Sequence, residues 1–192
     1  MKRIAILASG EGTNAENIIR YFSERKTAKV VVVITNKAQA GVLNRADKLG
    51  IPTEFIPAQD FTEGRALEVL HRYQTDFIAL AGFLLRVPDD ILHDYPNKIV
   101  NIHPALLPKF GGKGMYGSRV HQAVIASHEK ESGITIHYIN ERYDEGNTIF
   151  QATCPVLPTD TPDTLATRVH QLEYEYFPRV IEATILGKNL SI

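Results

Sequence analysis

The 192-residue chain contains a single cysteine, Cys154, and no long hydrophobic run. One cysteine cannot form a disulfide within the chain, and its apolar surroundings indicate a buried, unreactive thiol rather than a nucleophile. No stretch approaches the roughly 18 apolar residues that a membrane span needs, and the N-terminal apolar run is too short for a signal peptide. We therefore expect a cytoplasmic protein.

The chain also lacks an excess of charge of either sign. Its 21 basic and 22 acidic residues give a formal net charge of -1. This balance excludes a global positive field that would hold nucleic acid or an anionic membrane, although local positive sites are compatible with it. Because no repeat, low-complexity segment or Pro/Gly/Ser-rich linker divides the sequence, we expect one domain over residues 1–192.

The first half of the sequence alternates short apolar runs with amphipathic segments. The runs resemble strands buried on both faces of a parallel sheet, and the segments between them have helical periodicity. The predicted strands are 4–8, 30–35 and 77–81, and the predicted helices are 14–25, 42–49 and 65–73. This alternation predicts an α/β fold with a mostly parallel, doubly wound (Rossmann-like) sheet.

The second half of the sequence predicts a different kind of sheet edge. A short helix over 88–95 leads to a strand over 98–102, and Pro104 keeps His103 extended at its carboxyl end. Apolar residues alternate over 134–138, which is typical of an antiparallel strand, and 150–156 predicts one more.

A long C-terminal helix completes the predicted fold. It begins after Thr161, a plausible N-cap with Pro162 at the first helical position, and runs to about Leu186 before Gly187. Since proline removes a backbone donor, Pro178 is expected to kink or divide this helix.

The first candidate motif is SGEGTN, residues 9–14, between the first strand and the first helix. Glycines there let the backbone fold tightly and direct amides at an anion, so the motif favours a phosphate ligand. With Ala15 it also fits the loose dinucleotide pattern GxGxxA. The second strand ends without an acidic residue to hold a ribose hydroxyl, which disfavours a dinucleotide. A purely structural turn would use the same glycines.

The second candidate motif is Asn101-Ile102-His103-Pro104. Strand alternation directs Asn101 and His103 to the same side, at the sheet edge where open α/β sheets bind ligands. An amide donor beside an imidazole suits the oxyanion of acyl transfer, while the alternative is a histidine that only closes a strand. Asp144 would favour the imidazolium if it lay nearby, but on its own it reads as a turn residue. No HExxH or other ligand spacing occurs, so we expect no catalytic metal.

Four segments together resemble the glycinamide ribonucleotide formyltransferase family. They are SGEGTN at 9–14, AGFLLRV at 81–87, NIHPALLPKF at 101–110, and Asp144. The likeness spans nearly the whole chain. The NIHPxLLP segment is shared across the folate-dependent formyltransferase superfamily, whereas the SGxGxN loop and the short length point to this branch.

The resemblance implies transfer of a formyl group from 10-formyltetrahydrofolate, a co-substrate, to the amine of glycinamide ribonucleotide in purine biosynthesis. It implies that the N-terminal half binds the ribonucleotide, that the C-terminal half binds the folate, and that the active site lies between them. The partners would be these small molecules, with no metal, nucleic acid or membrane, and the protein would be a monomer or homodimer.

The resemblance also assigns residues to each part of this site. The catalytic trio is Asn101, His103 and Asp144. The ribonucleotide-binding residues are Gly12, Thr13, Asn14, His170, Gln171 and Glu173. The folate-binding residues are Arg65, Leu84, Leu85, Arg86, Val87, Asn101, Asn140, Glu141, Arg142, Tyr143 and Asp144, of which Arg65 needs a one-residue shift in the alignment.

Two features depart from the family pattern. Members often carry two glycines after the aspartate, but here Glu145 comes first and only Gly146 follows, which puts the backbone around Asp144 in doubt. The loop 110–118 is also longer and richer in glycine than in many relatives. We interpret it as a flap over the substrate, with Lys113 as a phosphate partner, against the alternative of a tolerated surface insertion.

Other functions remain in competition. A methionyl-tRNA formyltransferase is expected to carry a further C-terminal RNA-binding domain, and a formyltetrahydrofolate deformylase an N-terminal regulatory domain, for which this chain has no room. A non-catalytic sensor could bind a nucleotide in the same cleft. The intact trio argues against a sensor.

Overall fold

The computed structural model describes residues 1–188, in which seven strands form a single sheet. The strands are β1 (Lys2–Leu7), β2 (Ala28–Thr35), β3 (Thr53–Phe55), β4 (Phe77–Leu80), β5 (Ile99–His103), β6 (Glu131–Tyr138) and β7 (Thr148–Pro155). Their order across the sheet is β3-β2-β1-β4-β5-β6-β7. Strands β1 to β5 pair in parallel, and β6 and β7 are antiparallel to their neighbours. The predicted mixed sheet is confirmed.

Helices cover both faces of the sheet. They are α1 (Thr13–Arg25), α2 (Gly41–Lys48), α3 (Ala58–Thr62), α4 (Arg65–Arg72), α5 (Asp89–Asp94), α6 (Ser118–Ala126) and α7 (Pro162–Leu186). One buried cluster contains the apolar residues of α1, α2, α6 and α7, and a second contains those of α3, α4 and α5. The two clusters lie on opposite sides of β1, since alternate residues of that strand belong to each.

The strand order places a crevice at the centre of the sheet. The chain moves outward from β1 to β2 and β3, then returns to the other side of β1 as β4 and β5. In open α/β sheets ligands bind where the order reverses, outside the carboxyl ends of the strands. The loops that follow β1, β4 and β5 all begin at this edge. Segments 9–14 and 81–87 of the resemblance lie beyond β1 and β4, and segment 101–110 begins in the last residues of β5.

The long C-terminal helix has the predicted ends. Thr161 caps α7 by accepting a hydrogen bond from the backbone amide of Thr164, with Pro162 at the first position and Gly187 after the last. The expectation that Pro178 divides the helix is wrong, because α7 is continuous from Pro162 to Leu186.

The structure shows how this proline is accommodated within α7. Proline at 178 cannot donate to the carbonyl oxygen of Tyr174, four residues earlier. The side-chain Nδ2 of Asn17, on the neighbouring helix α1, donates to that oxygen at 2.8 Å. The carbonyl is therefore satisfied from outside the helix, and the backbone has no unpaired acceptor to break it.

Three elements were not predicted from the sequence. Strand β3 has only three residues and α3 only five, so neither is long enough for a periodic signal. Helix α6 follows directly after the glycine-rich loop and buries Val120 and Val124, which are four residues apart. This missed helix contributes a histidine to the site described next.

Candidate active site

A cleft of about 950 Å³ opens at the carboxyl edge of the sheet. Each predicted motif contributes to its wall, and so does the inner face of α7. The cleft is lined by residues from 10–14, 80–87, 101–104, 112–121, 137–144 and 162–174. Its position agrees with the crevice that the strand order predicts.

Ser9 joins two walls of the cleft. Its hydroxyl donates to Asn36 Oδ1 at 2.6 Å, beyond the end of β2, and accepts from the backbone amide of Leu84 at 3.0 Å. The same oxygen therefore links the loop after β1 to the loop after β4. Ser9 is buried, so these bonds are shielded from water.

The loop after β1 leaves the first turn of α1 open to a ligand. Gly12 adopts a left-handed conformation, with φ 78°, and no side chain caps the helix. A Cβ at residue 12 would lie 2.5 Å from Cβ of Val42, so glycine is required by both conformation and space. The amides of Thr13 and Asn14 thus lie at a positive helix end without a capping side chain, which suits an anion such as phosphate.

A buried carboxylate lies beside this helix end. Glu173 is 4% exposed and its Oε2 accepts from Asn14 Nδ2 and from His170 Nδ1, each at 2.8 Å. Hydrogen bonding to Glu173 raises the pKa of His170, because the carboxylate favours the charged ring. Asn14 of α1 and His170 of α7, both assigned to the ribonucleotide, therefore contact the same carboxylate of Glu173. Gln171 is exposed and does not line the cleft.

The structure brings Asn101, His103 and Asp144 together at the end of β5. The Nδ1 atom of His103 lies 3.5 Å from Asp144 Oδ2, and its Nε2 donates to the carbonyl oxygen of Phe110 at 2.8 Å. Asp144 Oδ2 also accepts from the backbone amide of Gly112 at 2.9 Å. Because the Phe110 carbonyl engages Nε2, Nδ1 is the ring nitrogen that can serve a reaction beside Asp144.

A further histidine, His137, completes this group and was missed in the sequence. It stands opposite Asn101 in the pairing of β5 with β6 and is almost fully buried. Its Nδ1 donates to the carbonyl of Tyr138 at 2.8 Å, so in the neutral ring its Nε2 accepts from Asn101 Nδ2 at 3.2 Å. The sequence did contain a signal for His137. Strand alternation in β6 turns Ile134 and Ile136 to one face and His137 to the other, the face of Asn101.

The protonation of His103 results from opposing influences. Burial is the largest and lowers the pKa of His103, while the Asp144 carboxylate and the Phe110 carbonyl offset only part of that effect. For Asp144, burial raises the pKa, but contacts with His137, His103 and the Gly112 amide together lower it. These influences favour the ionised form of Asp144 and the neutral form of His103. Asp144 by itself raises the pKa of His103, which is the direction expected from the sequence.

These directions predict separate titrations for two histidines of the cleft. In long-range ¹H–¹⁵N NMR spectra, we expect the pKa of His103 to lie below the ordinary value of about 6.5 and that of His170 to lie above it. Replacing Asp144 by asparagine should lower the pKa of His103 further, because the nearby negative charge is lost. The pKa of His170, whose shift comes from Glu173 rather than from Asp144, should stay unchanged in that variant. A pKa of His103 that rises in Asp144→Asn would contradict this account.

The structure resolves the doubt about the backbone around Asp144. Asp144 itself adopts the left-handed conformation, with φ 57°, which aspartate tolerates better than most residues. Glu145 is exposed and pairs with Arg142 at 3.2 Å. A Cβ on residue 146 would lie 1.7 Å from the carbonyl oxygen of Tyr138. Only the second of the two family glycines is therefore required by this loop.

The segment assigned to the folate forms another wall of the cleft. Leu84, Leu85, Arg86 and Val87 line it opposite the loop 139–144. Arg86 joins the two walls, because its Nε donates to the carbonyl oxygen of Glu141 at 3.2 Å. Arg65, the first residue of α4, does not line the cleft. Its guanidinium lies 3.4 Å from the carboxylate of Asp60 in α3.

The glycine-rich loop also belongs to the cleft. Residues 112–118 line it, Lys113 among them, and the preceding Phe110 and Gly112 contact His103 and Asp144. This placement favours a flap over a remote surface insertion. Movement of the loop stays a prediction.

Neither a metal-binding cluster nor a membrane-spanning helix occurs within residues 1–188. No group of three or more His, Cys, Asp or Glu side chains in this range is arranged to hold a metal ion. Within the same range, no helix combines the length and apolar character needed to cross a bilayer.

Comparison with known proteins gives a consistent result. The family described as formyl transferase matches residues 2–181. A phosphoribosylglycinamide formyltransferase of Bacillus subtilis is 35% identical over 195 residues, covering 98% of this chain and 97% of that protein. A chloroplastic protein of the same name from Arabidopsis thaliana is 39% identical over 95% of this chain. The chain spans 65% of that plant protein and 60% of the corresponding one from Vigna unguiculata, just under two thirds of their length.

Solved structures agree with the sequence comparison. Glycinamide ribonucleotide transformylase 1 from Symbiobacterium toebii superposes with a TM-score of 0.90 at 33% identity, covering 97% of this chain and 89% of that one. Phosphoribosylglycinamide formyltransferase from Bacillus halodurans gives a TM-score of 0.86 at 34% identity, covering 100% and 98%. With the family match over residues 2–181 and a cleft built from the motifs of the resemblance, the chain belongs to the formyl transferase family.

Proposed function

We propose that this protein transfers the formyl group of 10-formyltetrahydrofolate to the amine of glycinamide ribonucleotide, as a phosphoribosylglycinamide formyltransferase of purine biosynthesis. One observation carries the proposal. A single cleft combines an uncapped helix end suited to phosphate with a buried Asn, His and Asp group suited to acyl transfer. The names of the relatives that match nearly the full chain support the same activity.

The ribonucleotide would bind along the α1 side of the cleft. The amides of Thr13 and Asn14 would receive its phosphate, and the buried carboxylate of Glu173 would accept hydrogen bonds from its ribose or its glycinamide end. The folate would lie between the 84–87 segment and the 139–144 loop. The two substrates would then meet at Asn101 and His103.

The reaction needs no nucleophile from the protein. The amine of the ribonucleotide attacks the formyl carbon directly, and the formyl oxygen becomes an oxyanion in the tetrahedral intermediate. Cys154 does not line the cleft, and burial raises the pKa of its thiol, which disfavours the nucleophilic thiolate. A direct transfer therefore fits the side chains present better than a covalent enzyme intermediate.

Asn101 and His103 would stabilise the oxyanion. One hydrogen of Asn101 Nδ2 is directed to His137, and the second can be donated to the substrate. Burial lowers the pKa of His103, and negative charge developing beside the ring raises it, so Nδ1 takes a proton from solvent as the intermediate forms and returns it when the intermediate collapses. Asp144 supports that imidazolium, while a bound water relays the proton from the amine to the departing folate nitrogen.

The proposal is tested by following the absorbance change of 10-formyl-5,8-dideazafolate with glycinamide ribonucleotide, with each substrate omitted in turn. We expect product only when both are present. Loss of the formyl group without the ribonucleotide would indicate a hydrolase. Binding of the ribonucleotide by calorimetry without any turnover would indicate the sensor, and either result would overturn the proposal.

Several further expectations stay predictions. They are the cytoplasmic location, the monomeric or homodimeric state, the absence of a metal, and the division of one domain into a ribonucleotide half and a folate half. The hydrogen bond between Asn14 and Glu173 bears on the proposed division into two halves. It brings α7, from the C-terminal half, to the ribonucleotide side of the cleft. The residues assigned to the ribonucleotide by the resemblance would therefore come from both ends of the chain.

A further inference from the structure

Two buried polar atoms in the cleft have no hydrogen-bond partner. Among residues 1–188, four buried side-chain atoms are unpaired, and two of these, Asn14 Oδ1 and His121 Nδ1, belong to residues that line the cleft. An unsatisfied buried polar atom costs about 1–3 kcal/mol, so folded proteins rarely leave two in one place without a ligand or water to pair them. The pair indicates where a bound molecule supplies hydrogen bonds.

Both residues are linked to Glu173, Asn14 directly and His121 through His170. Asn14 contacts the Glu173 carboxylate directly. His121, which is 2% exposed, projects from α6, and its ring lies edge-on to that of His170 with centroids 6.5 Å apart. His170 in turn donates to Glu173. One end of the cleft is therefore walled by α1, α6 and α7 together.

The chemistry of this wall selects a neutral ligand group. Burial and the neighbouring His170 favour the uncharged form of His121, with a lowered pKa, although Glu173 acts in the opposite sense. Asn14 Oδ1 and the Glu173 carboxylate are acceptors, which repel an anion and require a donor. A neutral imidazole nitrogen either donates or accepts according to its tautomer, and a hydroxyl is the group that can pair with it in both cases.

The amides at the start of α1 already suit the phosphate, and a ribose hydroxyl is a neutral group of the ribonucleotide that can pair with Nδ1 in either tautomer. We infer that His121 is a positioning residue that binds a ribose hydroxyl of the ribonucleotide through Nδ1, beside Glu173 and Asn14. This inference rests on the proposed function for the identity of the ribonucleotide. It gives the missed helix α6 a role in substrate recognition that is separate from the Asn101, His103 and Asp144 group.

Three substitutions separate a hydrogen bond from packing. Asparagine at position 121 keeps a polar atom bonded to Cγ, where Nδ1 is attached, whereas glutamine moves its polar atoms one bond farther and leucine has none. By calorimetry, we expect His121→Leu and His121→Gln to raise the Kd for glycinamide ribonucleotide about tenfold, the equivalent of one hydrogen bond, and His121→Asn about threefold or less. The kcat and the KM for the folate should change less than about twofold, since a positioning contact to the other substrate is lost.

Deoxy analogues identify the hydroxyl. The 2-deoxy or the 3-deoxy ribonucleotide should bind less tightly than the parent to the unaltered protein, and His121→Leu should abolish that difference for one of them. Thermal melting shows which variants are folded, and His93→Leu, an exposed histidine on α5, is the matched control. If leucine prevents folding, the comparison of asparagine with glutamine carries the test.

The outcomes distinguish this inference from the proposed function. Normal ribonucleotide affinity in both His121→Leu and His121→Gln, with turnover intact, would overturn the role of His121 alone. Suppose that His121→Asn and His121→Gln lose equal affinity for the ribonucleotide, and that His121→Leu still distinguishes both deoxy analogues from the parent ligand. His121 would then contribute only packing. A protein that binds no glycinamide ribonucleotide before any substitution would overturn both.

Discussion

Replacing Asn101 by alanine is expected to lower kcat by about a hundredfold or more. The loss of one oxyanion donor typically costs roughly 10²–10³ in turnover, or about 2.7–4 kcal/mol of transition-state stabilisation. Asn101 fits this role because it lines the cleft, and only one of its two amide hydrogens is directed to His137. The binding affinity for glycinamide ribonucleotide should change little, since the interaction develops in the transition state.

The measurement is steady-state kinetics with both substrates, alongside calorimetric binding of the ribonucleotide. Asn44→Ala is the matched control, because Asn44 is exposed on α2 and does not line the cleft. Asn101→Ala also removes a partner of His137, so thermal melting must show that the variant is folded. A folded Asn101→Ala protein with kcat within threefold of the parent would exclude Asn101 from oxyanion stabilisation.

Replacing Gly146 by alanine is expected to destabilise the protein by about 3 kcal/mol, the upper part of the usual range for inserting an atom into a packed site. The added Cβ would lie 1.7 Å from the Tyr138 carbonyl oxygen and 2.7 Å from its carbon. The clash is with backbone, which cannot rotate away as a side chain could. For a chain of this size we expect the melting temperature to fall by roughly 6–12 °C.

The expected damage extends to activity because of what Gly146 adjoins. The amide of Tyr138 donates to the carbonyl oxygen of Asn147 at 3.0 Å, so displacing residue 146 disturbs the start of β7 and the loop that presents Asp144. Glu145→Gly is the matched control, at a position where the family often has glycine. Glu145 is exposed and its ion pair with Arg142 is at the surface, so we expect a change within about 0.5 kcal/mol. Equal stability of Gly146→Ala and the parent protein would show that the loop relaxes freely.

Local patterns in the sequence were sufficient to predict most of the fold. The apolar runs of β1, β2 and β4 have no polar face, which is the property of strands covered on both sides, and Thr161, Pro162 and Gly187 mark both ends of α7. The same kind of local evidence placed Asn101 and His103 on one side of β5. These features depend on neighbours within a few residues, so they can be interpreted without knowing the rest of the chain.

Other features depend on contacts between residues far apart in the chain. Pro178 does not divide α7 because Asn17, 161 positions earlier, donates to the carbonyl that the proline leaves free. His137 and His121 became part of the site through the pairing of β6 with β5 and through the packing of α6 against α7. No periodicity or motif in the sequence specifies those distances.

The protonation of His103 illustrates the same limit for chemistry. The sequence indicated that a nearby Asp144 would favour the imidazolium, and the structure places the two side chains 3.5 Å apart. Burial nevertheless lowers the pKa of His103, because desolvation of the charged ring outweighs the attraction. Residue types and their spacing established which groups can react, whereas burial and the distances between separate segments established their charge and their partners.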